Sequence, residues 1–371
     1  MLDLMDSDIK DAILHFNIEG SFIDYHEYGN GHINDSYCVI VEDHNKNTIK
    51  YILQRINVYV FKHPTEVMEN MARVTDHIKE KIKLANGDVN RETLSFIRAI
   101  DNKPYYWSNS GNFFRMCRFI DNTICYDIAS SELDFYEAAK AFGRFQANLV
   151  DFPINSLYET IKDFHNTAKR FVRFKEVVEA DAYNRKATVL EEIDFYLRYE
   201  ALSYVFDDLM SKGLVPLRVT HNDTKLNNVL IDKVTHKGLC VIDLDTVMPG
   251  LAMNDFGDAI RTGASTGLED EVDLSKVSFD LNLYEAFLKG FIEETNGVLS
   301  ETELKYLPLG ALVMTYECGM RFLTDYLEND IYFSISRENH NLDRCRTQIK
   351  LLSDMINNYD NMNFILNKYL K

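Results

Sequence analysis

Between Leu217 and Asp243 the chain alternates short apolar runs with polar turns in an order that few architectures accommodate. Leu217-Arg-Val-Thr220 reads as an extended segment and His221-Asn-Asp-Thr-Lys-Leu-Asn-Asn228 as a polar loop. Val229-Leu-Ile-Asp232 reads as a second strand, and after Gly238 the run Leu239-Cys-Val-Ile-Asp243 closes a hairpin on a carboxylate. A polar loop between strands is commonly just a turn, and Asn, Asp and Thr are ordinary turn residues. The acid that ends the hairpin sets this loop apart. It adds a second carboxylate, Asp243, to the carboxylate of Asp223 and the amide of Asn228. Oxygen ligands of that kind suit a hard divalent cation.

The loop has the spacing H-x-D-x-x-x-x-N, in which the acid is the base of a phosphoryl-transfer loop and the amide a metal ligand. Phosphoryl transfer asks little covalent chemistry of a protein. It needs a base to orient the attacking hydroxyl and metal ions that neutralise charge on the nucleotide phosphates. The spacing therefore assigns Asp223 as the catalytic base, Asn228 and Asp243 as Mg2+ ligands, and ATP as co-substrate. Asp255-Phe256-Gly257 spells another magnesium motif, but it follows Pro249-Gly250 rather than a strand. Asp243 is thus the expected ligand. Asp255 and Asp258 are expected to bond the backbone of the loop that carries Asp223, because buried carboxylates need such partners. Asp245 is open to two readings, a helper ligand or a solvent-facing acid.

Charge and composition narrow the partners. The net charge of −18 argues against nucleic acid, whose phosphates are met by clustered Lys and Arg. The chain has 21 Tyr and 23 Phe against six Pro and sixteen Gly, which supplies a large core and leaves little for disordered linkers. The six cysteines form no Cys-x-x-Cys pair and read as reduced thiols without structural zinc. The acidic N-terminus lacks the basic and apolar regions of a signal peptide, and no apolar run is long enough to span a membrane. The expectation is a soluble cytoplasmic protein, monomeric or homodimeric.

Along the chain, strands come first and helices follow, an α+β order of two lobes that divides at about residues 1–120 and 121–371. A short helix within 1–18 precedes extended segments at 22–28, 36–41 and 49–56. Gly29-Asn-Gly31 between the first two is a hairpin turn, or a loop whose backbone N–H groups cover phosphates. Arg55, with Gln54 beside it, holds the place where a phosphate-binding cation is expected on the third strand, or is a solvated strand residue. Pro64 opens a helix whose stripe is Val67, Met71, Val74 and Ile78, with Glu66 or Glu69 as partner for that cation. Leu94–Ile97 and Phe113–Ile120 read as strands, and Phe119 and Ile120 lie where a hinge offers backbone groups to adenine. Ser131 and Asp134 form a capping box before a helix with Phe135, Ala138, Phe142, Phe145 and Leu149 on one stripe. Further helices are expected over about 186–212, 280–295, 301–327 and 340–370.

Several longer motifs carry a resemblance. Arg218–Asn228, Ile242-Asp-Leu-Asp-Thr246, Met248-Pro-Gly250 and Asp255-Phe-Gly-Asp258 resemble the aminoglycoside phosphotransferase/choline kinase-like superfamily, which has a protein-kinase-like fold. With Gly263-Ala-Ser-Thr266, Glu317-Cys-Gly-Met-Arg-Phe-Leu323, Asp325-Tyr-Leu-Glu328, Tyr28–Asn34 and Arg346-Thr-Gln-Ile-Lys350, the similarity is to N-acetylhexosamine 1-kinases and spans essentially the whole chain. The resemblance implies ATP-dependent phosphorylation of the anomeric hydroxyl of N-acetylglucosamine or N-acetylgalactosamine. It implies substrate-binding roles for Arg321, Tyr332, His32 and Asn34, and agrees on Asp223, Asn228 and Asp243. Thr262 departs from the family pattern, which has Phe after Arg261. Two rivals remain. One is a superfamily kinase for choline, homoserine or an aminoglycoside, with Glu317, Asp325 and Glu328 available to a cation. The other is a nucleotide- or sugar-binding pseudokinase, since the third strand lacks a lysine.

Overall fold

The computed structural model describes residues 2–29, 33–129 and 131–370, and side chains within the first helix from Met5 onward. Alternation organises the N-terminal part. Helix α1 (Leu2–His15) is followed by strands β1 (Ser21–Glu27), β2 (Asp35–Glu42) and β3 (Thr48–Ile56), then α2 (Pro64–Leu84), β4 (Tyr106–Trp107) and β5 (Phe113–Arg118). The strands form one antiparallel sheet in the order β1-β2-β3-β5-β4. Residues paired directly across a sheet share a face. Tyr37, Val39, Tyr51, Leu53, Phe114 and Met116 therefore point one way, and pack with Ile9, Ala12 and Ile13 of α1 into a small separate core. The other face carries Cys38, Ile52 and Cys117 in one row and Ser36, Gln54 and Arg115 in the next. Its deepest pair, Ile56 and Phe113, joins the main core with Val67, Met71, Val74 and Ile78 of α2.

After β6 (Thr123–Ile124) come α3 (Glu132–Asn148), α4 (Thr167–Ala180), α5 (Leu190–Arg198) and α6 (Val205–Ser211). The expected cap is present, with the Ser131 hydroxyl accepting from the Asp134 N–H at 3.2 Å. The catalytic segment follows as β7 (Arg218–Thr220), β8 (Val229–Asp232), β9 (Gly238–Val241) and β10 (Met248–Gly250). Helices α7 (Ala252–Gly263), α8 (Leu281–Thr295), α9 (Glu301–Lys305), α10 (Leu307–Leu327), α11 (His340–Asn357) and α12 (Tyr359–Tyr369) complete an α+β chain.

Three expectations change. Leu94–Ile97 is not a strand and contributes a single bridge, Phe96 to Cys117. The helix expected over 186–212 breaks into α5, short turns and α6. At the break the Tyr316 hydroxyl donates to the Tyr196 carbonyl at 2.8 Å, taking the acceptor that a continuing helix would need for its own ladder. The 301–327 and 340–370 helices are each split in two, at Tyr306 and Asn358.

One helix crossing positions the site. A Cβ on Gly257 of α7 would lie 2.2 Å from the Gly310 carbonyl oxygen, and one on Gly310 would lie 2.3 Å from that of Met253. Only glycine permits so close an approach of α7 and α10. Phe256 meanwhile buries completely among Tyr284, Phe287 and Phe291. The Asp-Phe-Gly string is thus a packing device, and it leaves Asp255 and Asp258 facing the catalytic loop.

Candidate active site

The loop after β7 is strapped down by its backbone. Asp255 accepts the N–H of His221 at 2.9 Å and of Asn222 at 2.8 Å, and is held by the Gln146 amide at 2.8 Å. Asp258 accepts the Thr224 N–H at 3.1 Å and pairs with Arg261. Both acids therefore take the supporting role that the sequence suggested. The strap matters because Asn222 lies in the left-handed region, with φ of 64°. Such backbone is held only by surrounding structure.

Asp223 emerges from this scaffold 29% exposed, with Lys225 Nζ at 3.0 Å from Oδ1. Asn228 donates its amide to the Asp223 carbonyl at 2.8 Å and to Oδ2 at 3.3 Å. That commitment leaves the Asn228 amide oxygen as its atom for a cation. The Ile242 N–H donates to the Asn228 carbonyl at 2.9 Å, and Val229 pairs with Val241, so Asn228 and Asp243 end adjoining strands at the same place. Asp243 is left-handed (φ 59°, ψ 53°), so the strand does not continue through it. Burial on its protein side, and then Asp245, push the Asp243 carboxyl well above the ordinary range, with Arg115 opposing. A divalent cation would relieve that crowding of negative charge, so the donor set fits one. Two protein oxygens suit magnesium, which usually takes few protein ligands and completes its shell with phosphates and water. Among the described residues no group of three or more His, Cys, Asp and Glu is arranged as a self-sufficient metal cage.

Asp245 answers to neither of its two sequence readings. It is 5% exposed and accepts a two-pronged ion pair from Arg115 Nη1 and Nη2 of β5. Burial would raise its carboxyl, and Arg115 more than offsets this. Gln54 Oε1 accepts from Arg115 Nε at 2.8 Å, while the sulfurs of Met68 and Met71 face the guanidinium from α2. The buried Arg115 is therefore paired with an acid that follows β9, with thioethers beside it from α2, and Arg55, for which Glu66 or Glu69 was expected, has Asp35 as its partner. Glu69 pairs instead with Arg73 at 2.9 Å.

Arg55 is placed on the opposite side of the sheet. It pairs with Phe114 across β5, bonds the Asp35 carboxylate through Nε at 2.7 Å, and donates to the Met5 sulfur of α1 at 2.9 Å. The one-residue difference between Gln54 and Arg55 decides which face a side chain occupies. Asn34 does reach the site. Its amide donates to Asp245 at 3.3 Å and its oxygen accepts the Asn57 N–H at 3.0 Å, so it ties the β1–β2 turn to the metal loop. Gly29 has φ of 79° and open space around it, whereas Gly31 and His32 lie outside the described residues. At the expected hinge, the Phe119 N–H donates to Lys50 O at 3.0 Å and Ile120 O accepts from the Thr123 hydroxyl at 2.9 Å. Among the described residues this leaves one acceptor and one donor, the Phe119 carbonyl and the Ile120 N–H.

The other wall is built on α10. The Arg321 guanidinium lies 5.3 Å from the Phe333 ring centre, 5.7 Å from Tyr332 and 5.8 Å from Phe164. It makes no ion pair among the described residues. Tyr332 is 69% exposed, on a loop whose Ile331, Tyr332 and Phe333 N–H groups all donate to Asp325, at 3.0, 2.7 and 2.9 Å. Glu317 is bound by His165 at 2.9 Å and Thr167 at 2.6 Å, and Glu328 by Arg173. The three acids considered for a cationic acceptor are thus all occupied within the protein. Thr262 spends its hydroxyl on the Asp258 carbonyl, 3.0 Å away in its own helix. All six cysteines are free thiols.

Sequence reasoning missed Arg115, His165 and Lys225. A charge inside the apolar run Phe113-Phe-Arg-Met-Cys117 was a signal for Arg115, since a buried strand cation requires a partner. His165 carried no local signal.

The sequence profile described as the phosphotransferase enzyme family (APH) matches residues 24–288. Among solved structures, an aminoglycoside phosphotransferase from Alicyclobacillus acidocaldarius is similar at 12% identity and a TM-score of 0.64, over 96% of each chain. A microcompartment-associated aminopropanol kinase is 13% identical with a TM-score of 0.60, over 97% of this chain and 99% of that one. Spectinomycin phosphotransferase in complex with ADP and spectinomycin is 14% identical with a TM-score of 0.55, over 92% and 94%. At such identities the likeness establishes the fold, the bilobal protein-kinase-like one.

Proposed function

This chain belongs to the phosphotransferase enzyme family, and from that premise we propose that it transfers the γ-phosphoryl group of ATP to the anomeric C1 hydroxyl of an N-acetylhexosamine. The observation that carries the reading is the meeting of Asp223, Asn228 and Asp243 at the open end of the β8–β9 hairpin. The lobes divide at about residue 120, with nucleotide held by the N-terminal sheet and acceptor by the helical part.

In the proposed reaction the C1 hydroxyl oxygen forms a bond to the γ-phosphorus as the bond to the β–γ bridging oxygen breaks. ADP leaves and the hydroxyl proton passes to Asp223. Asp223 can take that proton because its carboxylate is partly exposed and oriented by Asn228 and Lys225. The Lys225 ammonium sets a positive charge beside the base, where charge shifts during transfer. Mg2+ held by Asn228 and Asp243 would supply charge neutralisation at the nucleotide phosphates. Asn34, fixed to Asp245, would hold the segment that covers them; Gly29 and Gly31 would serve the phosphates and His32 the sugar. The Phe119 carbonyl and Ile120 N–H complement the amino group and ring nitrogen of adenine.

On the acceptor side, a cationic ligand finds an arginine and no uncommitted acid among Glu317, Asp325 and Glu328. A neutral sugar with an acetamido oxygen suits Arg321, and its ring suits the Tyr332 face. Six free thiols fit a reducing compartment such as the cytoplasm.

The test is ADP release with Mg-ATP across N-acetylglucosamine, N-acetylgalactosamine, unacetylated hexosamines, choline, homoserine and aminoglycosides. The reading expects turnover with the N-acetylhexosamines and a 1-phosphate product by 31P NMR. Turnover confined to cationic acceptors would overturn it.

A further inference from the structure

The peptide unit joining Asn222 to Asp223 is gripped from both sides. Its N–H donates to His221 Nδ1 at 3.2 Å, and its carbonyl lies 3.2 Å from His165 Nε2. Rotation of this one unit would swing the Asp223 side chain, and the left-handed Asn222 before it makes the unit depend on outside bonds. His165 lies outside the motif, 57 residues upstream of the carbonyl it holds and 152 residues from its other partner.

That other partner is Glu317, whose Oε1 is 2.9 Å from His165 Nδ1. Both ring nitrogens therefore face oxygen acceptors. Glu317 is 1% exposed, and although burial pushes its carboxyl up, His165, Arg170 and Arg321 hold it down at about 2. The ring thus bridges the Glu317 carboxylate and the Asn222 carbonyl. Glu317 also stands four residues before Arg321 on α10, so the two share a helix face. The Phe164 ring lies tilted against His165 with ring centres 4.5 Å apart, and sits under the Arg321 guanidinium. A continuous path thus runs from the acceptor wall, through Glu317 and His165, to the backbone that aims the base.

We propose that His165, anchored by Glu317, is a positioning residue that sets the orientation of Asp223 through the 222–223 peptide and ties it to the acceptor-binding helix. This rests on the reading of Asp223 as the base. His165 touches neither substrate nor metal in this role, so its removal acts on kcat and spares nucleotide binding.

The experiment is a double-mutant cycle. His165→Leu should lower kcat about a hundredfold, the usual cost of misplacing a reacting group by about an ångström, with the KM for ATP unchanged. His165→Gln, which keeps one donor, should recover part of the loss. In an Asp223→Asn background, where the base is already gone, His165→Leu should cost less than about threefold. An equal loss in both backgrounds would show a merely structural histidine and overturn the proposal. A second measurement needs no acceptor. In 15N-histidine spectra of the full chain, the signal missing from His165→Gln identifies this ring, and Glu317→Gln should shift it. A His165 signal unmoved by Glu317→Gln overturns the proposal. If no N-acetylhexosamine is turned over, the substrate reading falls alone, and the cycle is run with whichever acceptor releases ADP.

Discussion

The catalytic loop and the acceptor wall are built by the same device and finished differently. In each, one buried carboxylate collects successive backbone N–H groups: Asp255 takes those of His221 and Asn222, and Asp325 those of Ile331, Tyr332 and Phe333. Each shapes a short irregular segment that has no helix or sheet to satisfy it. The side chains then diverge. Around the loop Asp223 is engaged with Lys225 and Asn228, and Asp245 with Arg115, which leaves Asp243 for a cation. On the wall Arg321 has aromatic rings around it and makes no ion pair among the described residues, and Tyr332 is exposed. Chemistry gains from groups fixed before substrate arrives. Recognition can leave donors for the ligand to complete, so the difference separates a finished reaction centre from an unfinished binding surface.

The largest effect should come from the finished side. Asp223→Asn keeps the shape and removes the base, so kcat should fall about 10²- to 10⁴-fold. The thermal midpoint should stay close to native, because the scaffold beneath is held by Asp255 and Asp258. A fall in stability as large as the fall in rate would place Asp223 in the scaffold and erase the contrast.

Next is the ion pair that joins the sheet to the metal loop. Arg115→Met leaves Asp245 buried without its partner, which should cost about 3–5 kcal/mol in urea unfolding. Arg115→Met with Asp245→Leu should restore most of that stability while leaving turnover low, since Asn34 would lose its anchor as well. Stability unchanged in the single variant would mean that water reaches the pair and that the centre is less closed than its geometry.

These two predictions also mark the limit of what the sequence discloses. The meeting of Asp223, Asn228 and Asp243 was legible because all three lie in or beside one hairpin, where short-range spacing determines position. Asp255 and Asp258 were legible because buried acids beside such a loop need donors. The sheet, α2 and α3 showed through alternation, through Pro64 and through the Ser131 cap. Arg115 and Asp245 are 130 residues apart, and His165 and Glu317 are 152 apart. Such pairs depend on how helices and sheet dock, which no local pattern encodes. The break after α5 has the same origin, since the hydroxyl that ends the helix arrives from Tyr316, 120 residues on.

On the unfinished side, Arg321→Ala should raise the acceptor KM about 10- to 100-fold, the equivalent of losing one charged hydrogen bond of about 1.5–3 kcal/mol. The KM for ATP and the thermal midpoint should not move, because Arg321 makes no ion pair among the described residues. Steady-state kinetics with each substrate varied in turn separates these outcomes. A matching rise in the KM for ATP would connect the wall to the nucleotide.

The smallest effect is expected at Arg55, and it bears on which face of the sheet meets the nucleotide. Arg55 and Gln54 are neighbours in sequence on opposite faces, Arg55 toward α1 with Asp35 and Met5, Gln54 toward Arg115. Arg55→Gln removes a partly exposed ion pair near the end of β3, which should cost no more than about 1 kcal/mol. It should leave the KM for ATP within about twofold, the change expected from well under 1 kcal/mol of binding. Gln54→Leu, by contrast, strips Arg115 of the acceptor at Nε and should lower both stability and turnover. If Arg55→Gln raised the KM for ATP tenfold while Gln54→Leu were silent, the phosphates would be held by the α1 face. The whole assignment of cleft to the Cys38, Gln54, Arg115 face would then have to be reversed.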